Sequence, residues 1–221
     1  GLPSVVANAT VRLSIVIQNI SAITGFYRKG VSYPKFSLYL GLIASVGSII
    51  GTKMALDISG SMFNHILAVV MVVILVLILW NPVRRYRKEG VPVGRRPLIL
   101  SGICFFFLGI YGGFMHAGIG FLIIAVLSIV NGFDLVKSNC IKVTVALIFN
   151  IPAIYIFAME GKINWAFALF LSLGTASGAW VGSHWSVNNG EIWIRRLLIT
   201  AVIVFSIKLL GGFNWLFQMF Y

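Results

Sequence analysis

Long apolar runs separated by short polar segments dominate this chain. A bilayer core about 30 Å thick needs about 20 apolar helical residues to cross it. Segments rich in glycine, asparagine and charge, which favour turns over helix interiors, lie between the runs. The pattern predicts an all-α, polytopic membrane protein. The predicted spans are residues 5–27, 36–55, 62–80, 135–159, 165–185 and 192–210.

Composition agrees with a lipid environment. Hydrophobic residues make up 59% of the chain and charged residues 10%, which leaves too little polar surface for a soluble domain. The net charge is +12, but the basic residues gather between the apolar runs, as the positive-inside rule requires. We therefore expect a bilayer partner and no nucleic acid. Cys104 and Cys140 lie inside apolar runs without metal-ligand spacing, so no metal or cofactor is expected.

The chain contains an internal repeat. Residues 1–79 align with residues 132–210 without a gap, at a constant offset of 131. Many secondary transporters are built from two such copies, with the substrate site between them. We predict a first repeat over 1–80, a basic cytoplasmic linker over 81–97 and a second repeat over 98–221. The matched pairs are Gly1/Gly132, Asn8/Asn139, Asn19/Asn150, Ala22/Ala153, Ile23/Ile154, Gly30/Gly161, Phe36/Phe167, Leu38/Leu169, Leu40/Leu171, Gly47/Gly178 and Gly51/Gly182.

The basic residues also orient the two copies. The linker carries six arginines and lysines against Glu89, which places it in the cytoplasm. Counting spans backwards from it puts the turn at Arg28 and Lys29 in the cytoplasm as well. In the second copy Arg195 and Arg196 mark the turn before the last span as cytoplasmic, so the turn at 160–164 becomes external. We therefore predict two inverted repeats.

Residues 98–131 are predicted to form a re-entrant helical hairpin, because the chain must leave the cytoplasm and return to it before the next span. Its arms would have about 15 to 17 residues and reach roughly 25 Å, which places the turn inside the membrane. The glycine-rich segment 109–120 is the predicted turn. Each copy should then contain a short hairpin and three transmembrane helices. Because nothing precedes Gly1, the first copy is expected to have lost its hairpin.

A turn at membrane depth can create an anion site. Non-helical backbone is tolerated there only where it is buried in protein or lines an aqueous cavity. The free amides and positive dipole end of the helix after the turn would favour an anion. His116 could accept a transport-coupled proton, donate to an oxyanion or serve a structural role. Close helix packing is the alternative for the glycines, and we favour it for Gly47/Gly51 and Gly174/Gly178/Gly182. The predicted substrate-binding residues of the turn are Gly112, Gly113, His116, Gly118 and Gly120.

Matched helix starts supply further polar residues. Asn8 with Arg12, and Asn139 with Lys142, each share one helix face, and Asn19 and Asn150 return to nearly the same faces. Intramembrane cations and amides are costly and suggest a pathway for a negatively charged solute. Alternatively, the cations extend to the headgroups and the asparagines cap or bridge helices. The predicted binding residues here are Asn8, Arg12, Asn19, Asn139, Lys142 and Asn150.

Several of these segments resemble the TauE/SafE family of sulfite and organosulfonate exporters. The resemblance covers the whole chain and rests on residues 7–12, 18–19, 28–30, 109–121 and 138–143. It implies a secondary transporter that exports a small sulfur anion, such as sulfite or sulfoacetate, by alternating access. Two positions depart from the family pattern: Val11, where a polar residue is frequent, and His116, where glutamine is common.

We therefore expect a multi-pass transporter of the inner (plasma) membrane with a small anionic substrate. No nucleophile, paired-carboxylate or phosphate-loop motif supports an enzyme. Transport of another small anion on the same scaffold remains an alternative, as does a non-transporting membrane scaffold or assembly protein. The sequence leaves open whether the protein forms a homodimer.

Overall fold

The structure, a computed structural model, describes residues 2–80 and 95–183. All regular elements in these two ranges are α-helices, and five of the helices are long and apolar enough to cross a membrane. The predicted all-α, multi-pass architecture is confirmed for this part of the chain. The predicted span 192–210 and linker residues 81–94 lie outside the described residues. The helices are α1 Ser4–Arg28, α2 Pro34–Asp57, α3 Gly60–Trp80, α4 Arg95–Phe114, α5 Ile119–Asn131, α6 Leu135–Met159 and α7 Trp165–Ser183.

Local sequence signals explain several helix ends. Pro34 begins α2, where its fixed φ suits a first helical residue and its missing amide hydrogen costs nothing. Asp134 caps α6 by accepting a hydrogen bond from the Lys137 amide at 2.8 Å. As a result, the predicted span 135–159 coincides with α6, and the predicted bounds of α1, α2 and α3 differ from the observed ones by at most two residues.

The helices that begin the two aligned segments have matching boundaries. The helices α1 and α6 have 25 residues each and begin at positions 4 and 135, which preserves the sequence offset. Gly30 and Gly161 follow these helices with left-handed φ values of 75° and 62°. In both copies the next amide donates back into the last turn, from Val31 to the Phe26 carbonyl and from Lys162 to the Phe157 carbonyl. Glycine adopts this conformation without the penalty that a Cβ would bring.

The matched helices α1 and α6 run antiparallel. The Cys140 thiol near the start of α6 donates to the Val31 carbonyl just beyond the end of α1, at 3.4 Å. By contrast, α1 runs parallel to α7, since the Asn164 amide donates to Thr10 Oγ1 and Ser14 Oγ donates to the Ala168 carbonyl. Antiparallel packing of matched helices is what inverted copies require. The orientation of the copies across a bilayer stays a prediction.

Glycines bring α2 and α4 into close contact. A Cβ added at Gly47, Gly51, Gly109 or Gly113 would collide with backbone atoms of the opposite helix. Small residues permit such backbone approach in membrane helices, so the packing interpretation of Gly47 and Gly51 is confirmed. For Gly174, Gly178 and Gly182 no described atom lies within 4 Å of an added Cβ, and packing there stays a prediction.

The main hydrophobic core lies between α2, α4, α5 and α6. Its fully buried members include Leu40, Phe105, Leu127, Ile141 and Phe149. Large apolar side chains on α2 and α7 are instead exposed, as a lipid-facing surface requires. The core holds the α4–α5 hairpin against α6, and this contact creates the candidate site.

Candidate functional site

Helices α4 and α5 form the predicted hairpin. They are antiparallel, because Ser101 near the start of α4 donates to Asn131 Oδ1 at the end of α5 over 2.8 Å. The helices have 20 and 13 residues, which corresponds to about 30 Å and about 20 Å. Only residues 115–118 interrupt them. The helical hairpin is confirmed, but its turn is shorter and begins later than predicted, and the α4 arm is long and apolar enough to cross a membrane. The re-entrant placement of the turn inside the membrane stays a prediction.

The placement of Gly112 and Gly113 in the turn was wrong. Both belong to the last turn of α4, where they serve packing. A Cβ at Gly112 would meet the side chains of Ile119 and Phe149, and one at Gly113 would meet the Ser48 backbone. Glycine is common inside membrane helices for this reason. The high glycine content of segment 109–120 therefore has two causes: close packing along α4 and the turn that follows it.

Neighbouring helices bind the last two carbonyls of α4 at the carbonyl end of the break. The Gly113 carbonyl accepts from Arg12 Nη2 at 2.7 Å and from Thr52 Oγ1 at 3.2 Å. The Phe114 carbonyl accepts from Asn8 Nδ2 at 3.2 Å. The last carbonyls of a helix lack partners within it and carry partial negative charge. Side chains of α1 and α2 supply partners for two of them here.

The amide end of the break faces a cavity. Gly118 precedes α5 with a left-handed φ of 73°, a conformation that favours glycine. Asn8 Oδ1 accepts from the His116 amide at 3.3 Å, and the Tyr111 hydroxyl donates to the Ala117 carbonyl. These contacts fix the segment so that the first turn of α5 borders open space, where helix dipole and amide groups favour negative charge.

The cavity has a volume of about 690 Å³ and lies between α1, the break, α5 and α6, with α3 at its edge. Of the described residues that line it, none is acidic, and most are apolar, including Val11, Ile15, Phe121 and Ile124. A mostly apolar wall with a few polar groups is typical of small-molecule sites. Six predicted substrate-binding residues line the cavity: Asn8, Asn19, His116, Gly118, Gly120 and Lys142.

Lys142 supplies the positive charge of the cavity. Its Nζ lies 4.0 Å from the position that a Cβ on Gly120 would occupy, beside the first turn of α5. No hydrogen bond or ion pair joins this ammonium group to any residue in the described part of the chain. Two positive elements, the helix start and the lysine, therefore meet at one point, and no carboxylate in the described part of the chain neutralises them.

Arg12 has a different environment. Its side chain is fully buried and is not part of the cavity wall. Besides the Gly113 carbonyl, it donates to Asn150 Oδ1 at 3.3 Å and lies over the Phe157 ring at 5.1 Å. The alternative in which Arg12 extends to the lipid headgroups is therefore wrong.

The asparagines divide between cavity and interior. Asn19 lines the cavity and is 4% exposed, and its Nδ2 has no partner among the described residues. Asn150 is fully buried, and its Nδ2 donates to the Ala146 carbonyl. Asn139 has a buried Oδ1 without a described partner and is not part of the cavity wall. His116 borders the cavity; its Nδ1 has no partner among residues 2–80 and 95–183, and its ring lies 5.8 Å from that of Phe149.

Sequence reasoning missed Thr52. Its hydroxyl shares the Gly113 carbonyl with Arg12, and Ser48, one turn earlier on α2, donates to the Phe149 carbonyl at 2.9 Å. The available signal was their spacing of four residues beside Gly47 and Gly51, since small hydroxyl side chains on a close-packed face commonly bond to a neighbouring helix. In residues 2–80 and 95–183, no three His, Cys, Asp or Glu residues cluster as a metal site would need.

These features define a class of protein first: a multi-helix membrane protein with a broken hairpin that borders a cationic cavity, as in membrane transporters. The family model for the sulfite exporter TauE/SafE matches residues 1–209. The chain therefore belongs to the sulfite exporter TauE/SafE family, which confirms the resemblance seen in its motifs.

Curated relatives agree with this class. The chain is 27% identical over 216 residues to the probable membrane transporter protein YfcA of Escherichia coli strain K12, covering 95% of this chain and 77% of the relative. It is 24% identical over 211 residues to the probable membrane transporter protein ORF9 of Sinorhizobium sp, covering 96% and 80%. A probable membrane transporter protein of Haemophilus influenzae is 23% identical over 217 residues, with 97% and 84% covered. No solved structure matches the chain significantly. The comparisons indicate a multi-pass membrane transporter rather than an enzyme.

Proposed function

We propose that the protein exports a small sulfur-containing anion, either sulfite or an organosulfonate such as sulfoacetate, across the inner membrane. The observation that carries this proposal is the Lys142 ammonium, which pairs with no described residue, beside the start of α5 and inside a cavity without described acidic residues. Opposite charge attracts a negative solute to this point, and the low dielectric of a membrane interior strengthens the attraction. The family description supplies the substrate class.

The groups around the cavity suit an oxyanion. Lys142 offers up to three donors, the start of α5 offers the positive end of its dipole, and Asn19 offers an Nδ2 without a partner among the described residues. His116 adds a ring nitrogen that can donate in one tautomer. Sulfite and sulfonate groups carry three oxygens that accept hydrogen bonds. The apolar remainder of the wall would accommodate the carbon atoms of a sulfonate.

Alternating access would follow from the repeat. The antiparallel packing of α1 against α6 supports two inverted copies that rock against each other around a fixed site. The binding residues that we assign to the solute come from α1, α5 and α6 and therefore from both copies. A non-transporting scaffold would gain nothing from an open cavity at the break, so the cavity favours transport over that alternative.

Lys142→Met tests the proposal in proteoliposomes with radiolabelled sulfite and sulfoacetate. Because a charge-assisted hydrogen bond contributes about 1.5–3 kcal/mol, we expect uptake at low substrate concentration to fall by about tenfold or more. The matched control is Lys137→Met, since Lys137 lies on the same helix, forms a 3.3 Å ion pair with Asp134 and is not part of the cavity wall. Equal uptake by wild type and Lys142→Met would overturn the assignment of this cation to the substrate.

A further inference from the structure

We propose that Arg12 is a positioning residue and does not bind the transported anion. It holds the carbonyl end of the hairpin break, and this contact sets the amide end against the cavity. The inference rests on the proposed anion transport for its functional meaning, while its structural part can be tested without any substrate.

Both terminal nitrogens of Arg12 donate to the protein, and its buried Nε has no partner among the described residues. The guanidinium group donates to the Gly113 carbonyl on α4 and to Asn150 Oδ1 on α6, and it lies over the Phe157 ring of α6. Its exposed fraction is 0%. A solute in the cavity would therefore have to displace these contacts before it could reach Arg12.

The helix dipole explains why a cation occupies this position. Burying a guanidinium group is costly unless other groups compensate its charge. No carboxylate pairs with Arg12 among the described residues, but the carbonyl end of α4 carries partial negative charge and points at it. The ring of Phe157 adds a cation–π contact. Arg12 and the end of α4 thus stabilise each other.

The two ends of the break consequently have different roles. The negative end, at Gly113 and Phe114, is held by Arg12 and Asn8 from α1 and by Thr52 from α2. The positive end, at the start of α5, is left for the solute and Lys142. Displacing the carbonyl end would move the short segment 115–118 and change how the amide end borders the cavity.

Thr52 provides the sharpest test. It shares the Gly113 carbonyl with Arg12 at 3.2 Å, yet it is fully buried and is not part of the cavity wall. Thr52→Val removes the hydroxyl with little change in shape. If the Gly113 carbonyl positions the break, this variant should act in the same direction as changes at Arg12. If Arg12 acts as a substrate ligand, Thr52→Val should leave the break and the transport unchanged.

The experiment measures the position of the break by thiol labelling. Ala117→Cys places a thiol on a residue of the cavity wall, and its reaction rate with a charged methanethiosulfonate reagent is measured in detergent without substrate. We expect Thr52→Val and Arg12→Met to change the rate several-fold, with Arg12→Lys closer to the parent because it keeps a cation and donors. The chain without Ala117→Cys measures the background of Cys104 and Cys140.

Thr24→Val is the matched control, since the Thr24 hydroxyl donates only within its own helix, to the Ile20 carbonyl at 2.8 Å. Unchanged labelling in both Thr52→Val and Arg12→Met would overturn the positioning role. Sulfite uptake by the wild type, Thr52→Val and Arg12→Met, each with Ala117 retained, separates the two proposals. If the wild type shows no uptake of sulfite or sulfoacetate while the labelling rates shift as expected, positioning stands and the proposed substrate class fails.

Discussion

The helices α1 and α6 follow one sequence pattern, but their matched polar residues have different surroundings. Asn8 bridges both ends of the hairpin break, whereas its counterpart Asn139 is not part of the cavity wall. Asn19 lines the cavity, whereas its counterpart Asn150 binds Arg12 inside the protein. The same residue at the same helical position thus has a different role in each copy.

The cations deepen this difference. The counterpart of Arg12 is Val143, and the counterpart of Lys142 is Val11. Arg12 is buried against the end of α4, while Lys142 faces the cavity. The repeat duplicates a helical frame, and the neighbouring hairpin decides which positions become structural and which become accessible to a solute.

We expect the largest difference in stability between alanine substitutions at Gly47 and at its counterpart Gly178. In Gly47→Ala, the added methyl group would collide with the backbone at Phe106 and Ile110, which cannot move without separating α2 from α4. We expect the free energy of unfolding to fall by about 3 kcal/mol or more, which exceeds the usual cost of overpacking. Gly178→Ala should cost less than about 1 kcal/mol, because an added Cβ meets no described atom within 4 Å. Thermal unfolding in detergent measures both, and equal losses would contradict the α2–α4 contact.

A smaller effect should separate Asn150 from Asn19. In Asn150→Ala, the buried guanidinium group of Arg12 loses an acceptor, and we expect the free energy of unfolding to fall by about 1.5–3 kcal/mol. Asn19→Ala removes no described hydrogen bond from Nδ2, so the free energy of unfolding should change by less than about 1 kcal/mol. Asn19→Ala should instead weaken sulfite binding a few-fold, measured as ligand-dependent thermal stabilisation. A reversed order of the two unfolding losses would contradict the division between interior and cavity.

The smallest effect should separate Asn8 from Asn139. Asn8→Ala leaves the Phe114 carbonyl and the His116 amide without a side-chain partner, at a cost of about 1 kcal/mol, because the site is partly accessible to water. Asn139→Ala removes a side-chain oxygen without a described partner, so the free energy of unfolding should stay the same or rise slightly. Hydrogen exchange at residues 115–118 would show whether the break itself loosens in Asn8→Ala, as it should, and stays protected in Asn139→Ala.

Much of the helical frame could be predicted from the sequence. Apolar run length sets the spans, and Gly30 and Gly161 mark matching helix ends because a residue with positive φ terminates the helix. The hairpin followed from the requirement that the chain return to the side it left. The exact turn did not, since a glycine that permits close packing and one that permits a turn look alike in sequence.

Half of the candidate site was equally accessible to sequence reasoning. Asn8, Asn19, His116, Gly118, Gly120 and Lys142 were predicted and do line one cavity. Arg12 and Asn150 were selected by the same criterion, polarity inside an apolar run, but they bind each other and the end of α4. Polarity identifies a residue that needs a partner, and it does not say whether that partner is protein or solute.

The sequence by itself indicated the lipid environment, the membrane spans, the internal repeat and the family. Each of these depends on the composition of the chain or on patterns of residues along it. Only the tertiary structure decided which cation faces the cavity. Contacts such as that between Arg12 and the Gly113 carbonyl join residues that are far apart in sequence, and the packing of three helices around one break sets them. The pattern of neighbouring residues along the chain does not specify these long-range contacts.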